Sequence, residues 1–229
     1  MSKKNHEEHD EVIVDVQEVY SKTENFIDNN KKTLSIVIGA VVVVIGIYFA
    51  YTKMYIAPME LEAQSSMFMA EKYFEKDSLD KAINGDGIND GFIDIIDSYG
   101  GTKTANLAHY YLGISYLKTG QFEDAIDELK NFSSNDIMIS SIALGAIGDA
   151  YMELGNLDDA LNYYEKAANN NENELTTPMY LFKAGIVYEE QGDYNKAYEN
   201  YTTIKNDYAE SSEGRTIEKY LARAEAYKK

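Results

Sequence analysis

Cysteine and tryptophan are absent from the 229 residues, and proline occurs only twice. The first absence excludes disulfides, thiolate metal sites and cysteine nucleophiles together. The scarcity of proline removes the strongest helix breaker and favours a mostly helical chain. Histidine is held to three residues, His6, His9 and His109, so little imidazole is present for metal or proton chemistry. Basic charge is also short: 21 Lys and Arg stand against 39 Asp and Glu, a net charge of −18. That balance argues against nucleic acid, whose phosphates are bound through clustered cations, and it discourages adsorption to anionic lipid. What the chain has instead is tyrosine, 20 residues of it, and one long apolar run.

The run lies in KKTLSIVIGAVVVVIGIYFAYTK, residues 31–53, and no charge interrupts Leu34 to Tyr51. Eighteen helical residues span about 27 Å, close to the hydrocarbon thickness of a bilayer. A buried core helix would show a polar face, and none is present here. A cleaved signal peptide would start nearer the N-terminus and end at a small-residue cleavage site, and neither is found. The run reads as an uncleaved anchor over residues 34–52, with Tyr48, Tyr51 and Tyr55 as interfacial aromatics. Lys22, Lys31 and Lys32 precede it and Lys53 follows it. The positive-inside rule then keeps residues 1–33 in the cytoplasm and exports the rest. Within the span Ser35, Gly39, Gly46 and Ala50 form a small-residue stripe. It is either a helix-packing face or the ordinary glycine content of membrane helices.

Ahead of the span, HEEH at His6 to His9 lacks the i, i+4 spacing of a helical metal pair. Val12, Val16, Val19, Phe26 and Ile27 recur at helical intervals. They mark either a short amphipathic helix that meets a partner or a lead-in to the membrane helix.

Downstream, three segments repeat: LGISYLKTGQFEDA from Leu112, IGDAYMELGNLDDA from Ile147 and AGIVYEEQGDYNKA from Ala184. They align Gly113, Gly148 and Gly185, then Tyr116, Tyr151 and Tyr188. Gly120, Gly155 and Gly192 follow, and then Ala125, Ala160 and Ala197. Offsets of 35 and 37 residues indicate a solenoid. The first glycine allows two helices to approach, and the second ends a helix in the left-handed conformation. Asn156 or Asp193 caps the next helix, and Leu129, Tyr164 and Tyr201 act as larger plugs. These motifs resemble the tetratricopeptide repeat, over residues 105–210. His109, Leu144 and Leu181 stand where that family has tryptophan, and Ile137, Glu172 and Ala209 where it has proline. The expected fold is all-α: one transmembrane helix, a solenoid of helical hairpins, and a capping helix over residues 211–229. Residues 53–104 should form a degenerate first repeat of two helices joined by the loop AINGDGINDG, with Pro58 in the first turn. Asp86, Asp90, Gly91 and Asp97 fit a calcium loop in part. Ile88 occupies a ligand position, however, and the loop reads as a plain connector.

The resemblance implies a concave face on the first helix of each unit. It would comprise Leu107, Tyr110, Ile114 and Leu117; Ile142, Asp149, Met152 and Glu153; and Met179, Phe182, Ile186, Glu189 and Glu190. This face is apolar and acidic, without the Lys, Arg and Asn of the family's carboxylate clamp, and suits a segment with apolar and basic residues. No catalytic constellation, cofactor site or metal site is expected. The order of tail, span and repeats, with Phe26, Asn29 and Lys31 before the span, resembles the ancillary (YfgM-like) subunit family of the bacterial Sec translocon. That resemblance implies a single-pass inner-membrane protein with a periplasmic repeat domain. Its partners would be translocon subunits, a membrane-anchored prolyl isomerase or other chaperone, and emerging polypeptide segments. The alternative is a scaffold in another envelope machine, for cell division, secretion or outer-membrane assembly.

Overall fold

The computed structural model describes residues 16–228, which fall into two compact units, one ending at Tyr55 and the other beginning at Ile56. Helices and turns make up the described residues, with no strand among them. His6, His9 and Val12 lie outside the described residues, as do the side chains of Val16 and Val19.

In the first unit α1 runs Val16–Ala50 and is followed by a π-helical turn, Tyr51–Ile56. The Thr52 hydroxyl donates to the Tyr48 and Phe49 carbonyls near that turn, and Tyr51 stacks on Tyr55. The long helix is apolar enough to cross a membrane, and its most apolar window has no buried residue. A soluble core helix would have buried the same side chains. Ser35, Gly39, Gly46 and Ala50 are exposed, and a Cβ added at either glycine would meet nothing within 4 Å.

The second unit is a stack of helical hairpins: α5 (Lys103–Thr119) with α6 (Phe122–Asn131), α7 (Ile137–Glu153) with α8 (Leu157–Asn169), and α9 (Thr176–Glu190) with α10 (Tyr194–Asp207). Each signature residue has a visible task. Gly120, Gly155 and Gly192 sit at φ of 79°, 73° and 79°, the left-handed region that ends a helix cheaply only with glycine. The next amide in each turn donates back to the signature tyrosine carbonyl, Gln121 to Tyr116, Asn156 to Tyr151 and Asp193 to Tyr188. Of the two expected caps, the Asp193 side chain accepts from the Lys196 amide, whereas Asn156 makes no side-chain cap bond. Gly113, Gly148 and Gly185 are close-approach positions. An added Cβ would lie 2.6 Å from Leu129, 2.7 Å from Tyr164 and 2.3 Å from Tyr201, respectively. The plugs therefore occupy the space that a side chain on the facing helix would need.

The leading hairpin departs from expectation. α2 spans Ala57–Glu75 with Pro58 in its first turn, followed by α3 (Leu79–Asn84) and α4 (Phe92–Ser98). The hairpin turn is at residues 76–78, and the loop AINGDGINDG does not join the two helices of the unit: it interrupts the second one. Asp77 takes φ 56° and plays the part of the glycine, which aspartate tolerates better than most residues. The Ser78 amide donates to the Tyr73 carbonyl, in the same register as the three later turns. Ala70, Tyr73, Asp77 and Ala82 thus match Gly113, Tyr116, Gly120 and Ala125. The hairpin closes over a core of Met67, Ala70, Ala82, Ile83, Phe92, Ile95, Ala108 and Leu112. At the other end α11 (Glu218–Tyr227) buries Ile217, Leu221 and Ala224 against Tyr201 and Ile204, with charges outward.

Candidate protein-binding groove

The first helices of the three clear repeats, α5, α7 and α9, lie side by side and leave an open groove of about 570 Å³. Its apolar lining is Leu117, Phe122, Met152, Ile186 and Val187, and its polar lining is Lys118, Asp149, Glu153, Tyr164 and Lys183. Offsets of 35 and 37 residues bring Leu117 into register with Met152, and Asp149 with Ile186, so consecutive repeats present different chemistry at equal positions. Five of the residues expected on the concave face therefore converge: Leu117, Asp149, Met152, Glu153 and Ile186.

The others are used elsewhere. Tyr110 and Ile114 pack against the core of Ile126, Leu129, Ala143 and Ile147, and Tyr110 meets Phe132 at a ring separation of 5.3 Å. Leu107 lies in a cleft with Glu60, Met67 and Thr104. Ile142 is half-buried on α7. Met179 packs beside Tyr180 and Ala184, and Phe182 lies edge-on to Tyr220 at 4.6 Å. Glu189 is held by the Arg223 guanidinium of α11. Glu190 is exposed at the end of α9.

The face is also not free of basic residues, as the spacing alone implied. The Lys183 ammonium reaches Asp149 at 2.6 and 2.8 Å, and the Tyr164 hydroxyl donates to the same carboxylate at 2.7 Å. Lys183 lies 5.6 Å from the Tyr164 ring centre and 5.8 Å from that of Tyr180, a distance at which aromatic faces attract a cation. Burial, reinforced by the charge of Asp149, pushes the Tyr164 and Tyr180 hydroxyls well above the ordinary tyrosine range. Both stay protonated throughout the physiological range, and Tyr164 is the one that donates to Asp149. The floor is therefore a self-neutralised cluster, rigid because each partner is held by two others. Lys118, at the rim, is 3.0 Å from Asp77 and 5.2 Å from the Phe74 ring centre. Lys183 was missed because it stands one register position away from the expected face, where the other repeats carry Tyr111 and Ala146.

Two further polar clusters are structural. Glu60 of α2 accepts from the Lys103 and Thr104 amides at 2.7 and 3.3 Å and from the Thr104 hydroxyl at 2.8 Å. It caps the start of α5, together with the Thr102 hydroxyl, which accepts from Ala105. Burial alone would raise the Glu60 pKa, but the bonds from Gln64, Thr104 and Lys103 outweigh it and hold the carboxyl below its ordinary value. His109, in the family's tryptophan position, is 2.6 Å from Glu128 and ties α5 to α6. Among the described residues no group of His, Asp and Glu is arranged to hold a metal ion.

Tetratricopeptide repeat models match residues 107–136 and 139–204. These two stretches carry tetratricopeptide repeats. A curated relative, tetratricopeptide repeat protein 29 of Macaca fascicularis, is 29% identical over 107 residues, covering 43% of this chain and 22% of that protein. The chain thus spans about a fifth of the length of the relative it matches. Among solved structures, MamA superposes with a TM-score of 0.52 at 21% identity, covering 72% of this chain and 88% of MamA. The repeats of a putative kinesin light chain from Podosopora anserina give a TM-score of 0.53 at 14% identity, covering 73% and 87%. At these identities the likeness concerns the fold alone, a solenoid of helical hairpins.

Proposed function

We propose that the chain is a membrane-anchored protein-binding adaptor, which acts by holding a polypeptide segment in the groove and not by catalysis. The observation that carries this reading is the open apolar strip of Leu117, Phe122, Met152 and Ile186. It runs across consecutive repeats, with Leu117, Phe122 and Met152 partly buried against the core and their remaining surface turned to the groove. A helical or extended segment with apolar residues at alternate turns fits such a strip. The neutral Asp149–Lys183 pair in the floor selects on shape more than on charge. The apolar helix α1 supplies the anchor in this reading, and confinement to a membrane raises the groove's effective concentration near its target.

The finer reading is an ancillary subunit of the bacterial Sec translocon, with the repeats on the periplasmic side receiving emerging chains or chaperones. Its support is the order of tail, span and repeats and the Phe26, Asn29, Lys31 segment before the span. Affinity purification in mild detergent tests it, with wild type and Met152→Lys side by side. The expected result is copurification of channel subunits and a folding factor with wild type and loss of the folding factor with the variant. Absence of Sec components from both preparations would abandon the translocon, and recovery of another envelope machine would install the scaffold reading in its place. External protease acting on spheroplasts should digest a C-terminal tag. Protection of that tag would refute the periplasmic placement.

A further inference from the structure

We propose that the loop of residues 85–91 is a second protein-docking element, whose Ile88 seats in an apolar socket rimmed by basic residues on a partner protein. The surface belongs to the first hairpin and is separate from the groove.

The loop is an insertion. The second helices of the later repeats run unbroken for 10, 13 and 14 residues, whereas in the first repeat α3 and α4 have 6 and 7 residues, with the loop between them. Insertions of this kind in solenoids map to exposed loops that often serve binding. The loop is also firmly framed. Its neck is pinched between two glycines: a Cβ on Gly91 would fall 2.3 Å from the Gly85 nitrogen and the Ile83 carbonyl. Asp86 accepts from the amides of Ile88 and Asn89 at 2.9 and 2.7 Å, and the Tyr73 hydroxyl of α2 donates to it at 2.5 Å. At the tip of this frame Ile88 is 92% exposed, while Ile83, Phe92 and Ile95 at its base are at most 5% exposed.

A lone surface isoleucine needs no explanation in general. This one tops a segment whose backbone is already ordered, so docking it forfeits little conformational entropy. The surrounding charge selects the occupant. Between residues 79 and 98 stand Asp80, Asp86, Asp90, Asp94 and Asp97 against Lys81 alone. Anionic headgroups would be repelled by such a rim, and so would a second copy of a chain with net charge −18. A protein socket with lysine or arginine at its edge is the complementary surface.

The absence of cysteine from the chain makes the test direct. Ile88→Cys is placed in the full chain and treated with a water-soluble maleimide in native membrane fragments open on both sides. Glu172→Cys, on an exposed loop of another repeat, serves as the reference. The expected result is labelling of Ile88→Cys about tenfold slower in native membranes than in the purified chain, with no such difference at the reference site. Adding Asp80→Lys and Asp97→Lys, both at exposed positions, should restore fast labelling in native membranes. Equal rates in native membranes and in the purified chain would overturn the proposal. So would protection that survives the two lysines. Protection in vesicles of extracted lipid holding only this chain would assign the tip to the bilayer. Protection in the purified chain that grows with concentration would assign it to a second copy. Either result refutes the docking partner proposed.

Discussion

Gly145 offers the sharpest test of how the groove is built. It lies on α7 in register with Tyr110 and Phe182, and a Cβ added there would fall 1.9 Å from Tyr180 Cε1 and 2.1 Å from Cζ. Tyr180 is 3% exposed and stacked on Tyr164 at a centroid separation of 6.3 Å, so the ring has no free direction in which to move. Two terms oppose each other in Gly145→Ala. Helix propensity favours alanine by about 1 kcal/mol. Overpacking a filled core costs about 1–3 kcal/mol, and a displaced ring forfeits a further ~0.5–1.5 kcal/mol of stacking. The clash wins, with a net destabilisation of about 0.5–3.5 kcal/mol. Urea unfolding of the detergent-solubilised chain by circular dichroism reads it as a lowered midpoint at unchanged slope. In a Tyr180→Leu background the same alanine should be neutral or stabilising, which gives a coupling that a double-mutant cycle isolates. A chain stabilised by about 1 kcal/mol in the wild-type background would mean that propensity alone operates, and the packing account would be refuted.

Three more expectations rest on named contacts. Asp149→Ala strands the half-buried Lys183 ammonium and the Tyr164 hydroxyl and should cost about 1–2 kcal/mol. Lys183→Met leaves Asp149 its tyrosine bond and should cost less, and the reverse order in urea unfolding would dismantle the cluster described above. Glu60→Gln should lower stability by about 1 kcal/mol at neutral pH by weakening the cap of α5. Because the folded carboxyl is held below its ordinary 4.5, its contribution is fully present above that value and is lost as pH falls through the folded pKa. Thermal melts of the two proteins should therefore converge in acid, and a gap that persists there would contradict the assignment. The Tyr201 hydroxyl is buried without a well-formed hydrogen bond among the described residues, and the Arg223 guanidinium is the polar group within electrostatic reach of it. Tyr201→Phe forfeits only that weak contact and should change stability by less than about 1 kcal/mol, and a larger loss in the same assay would refute this.

Much of this architecture was legible because the repeat signature is steric. Gly113, Gly148 and Gly185 mark the places where a facing plug leaves no room, and Gly120, Gly155 and Gly192 mark positive φ. Both requirements show in a bare sequence. The first hairpin hid for the same reason in reverse. Its left-handed residue is Asp77 and its close-approach residue is Ala70, so the glycines that announce the other units are missing and only Tyr73 and Ala82 remain in register. The conspicuous glycines of residues 85–91 then drew the turn to the wrong place. For the groove, helical periodicity identified a face but not its depth. Tyr110, Met179 and Phe182 are half-buried like Met152 and Ile186, but only the last two line the groove, because the neighbouring repeat's side chains decide which of them stay uncovered. Arg223, more than thirty residues along the chain, occupies Glu189, and no local pattern could have predicted that.

Scaffold and groove share the same hairpins, and Tyr164 serves both, plugging against Gly148 and lining the groove. The positions that hold the hairpins together repeat with little change: glycine, tyrosine, glycine, alanine. Positions beside them vary from repeat to repeat. Ile114, Asp149 and Ile186 are equivalent, as are Tyr111, Ala146 and Lys183, yet each set mixes apolar, acidic or basic character. Stacking demands identity at the first set, since every hairpin must fit the next. The second set is released from that demand wherever it faces the groove. The Asp149–Lys183 pair exploits this freedom by joining two non-equivalent registers across adjacent repeats, α7 to α9. It links neighbouring hairpins with a charge contact while leaving the apolar strip beside it open. The same contact that stiffens the solenoid is neutral as a pair, so the apolar strip beside it sets the character of the groove.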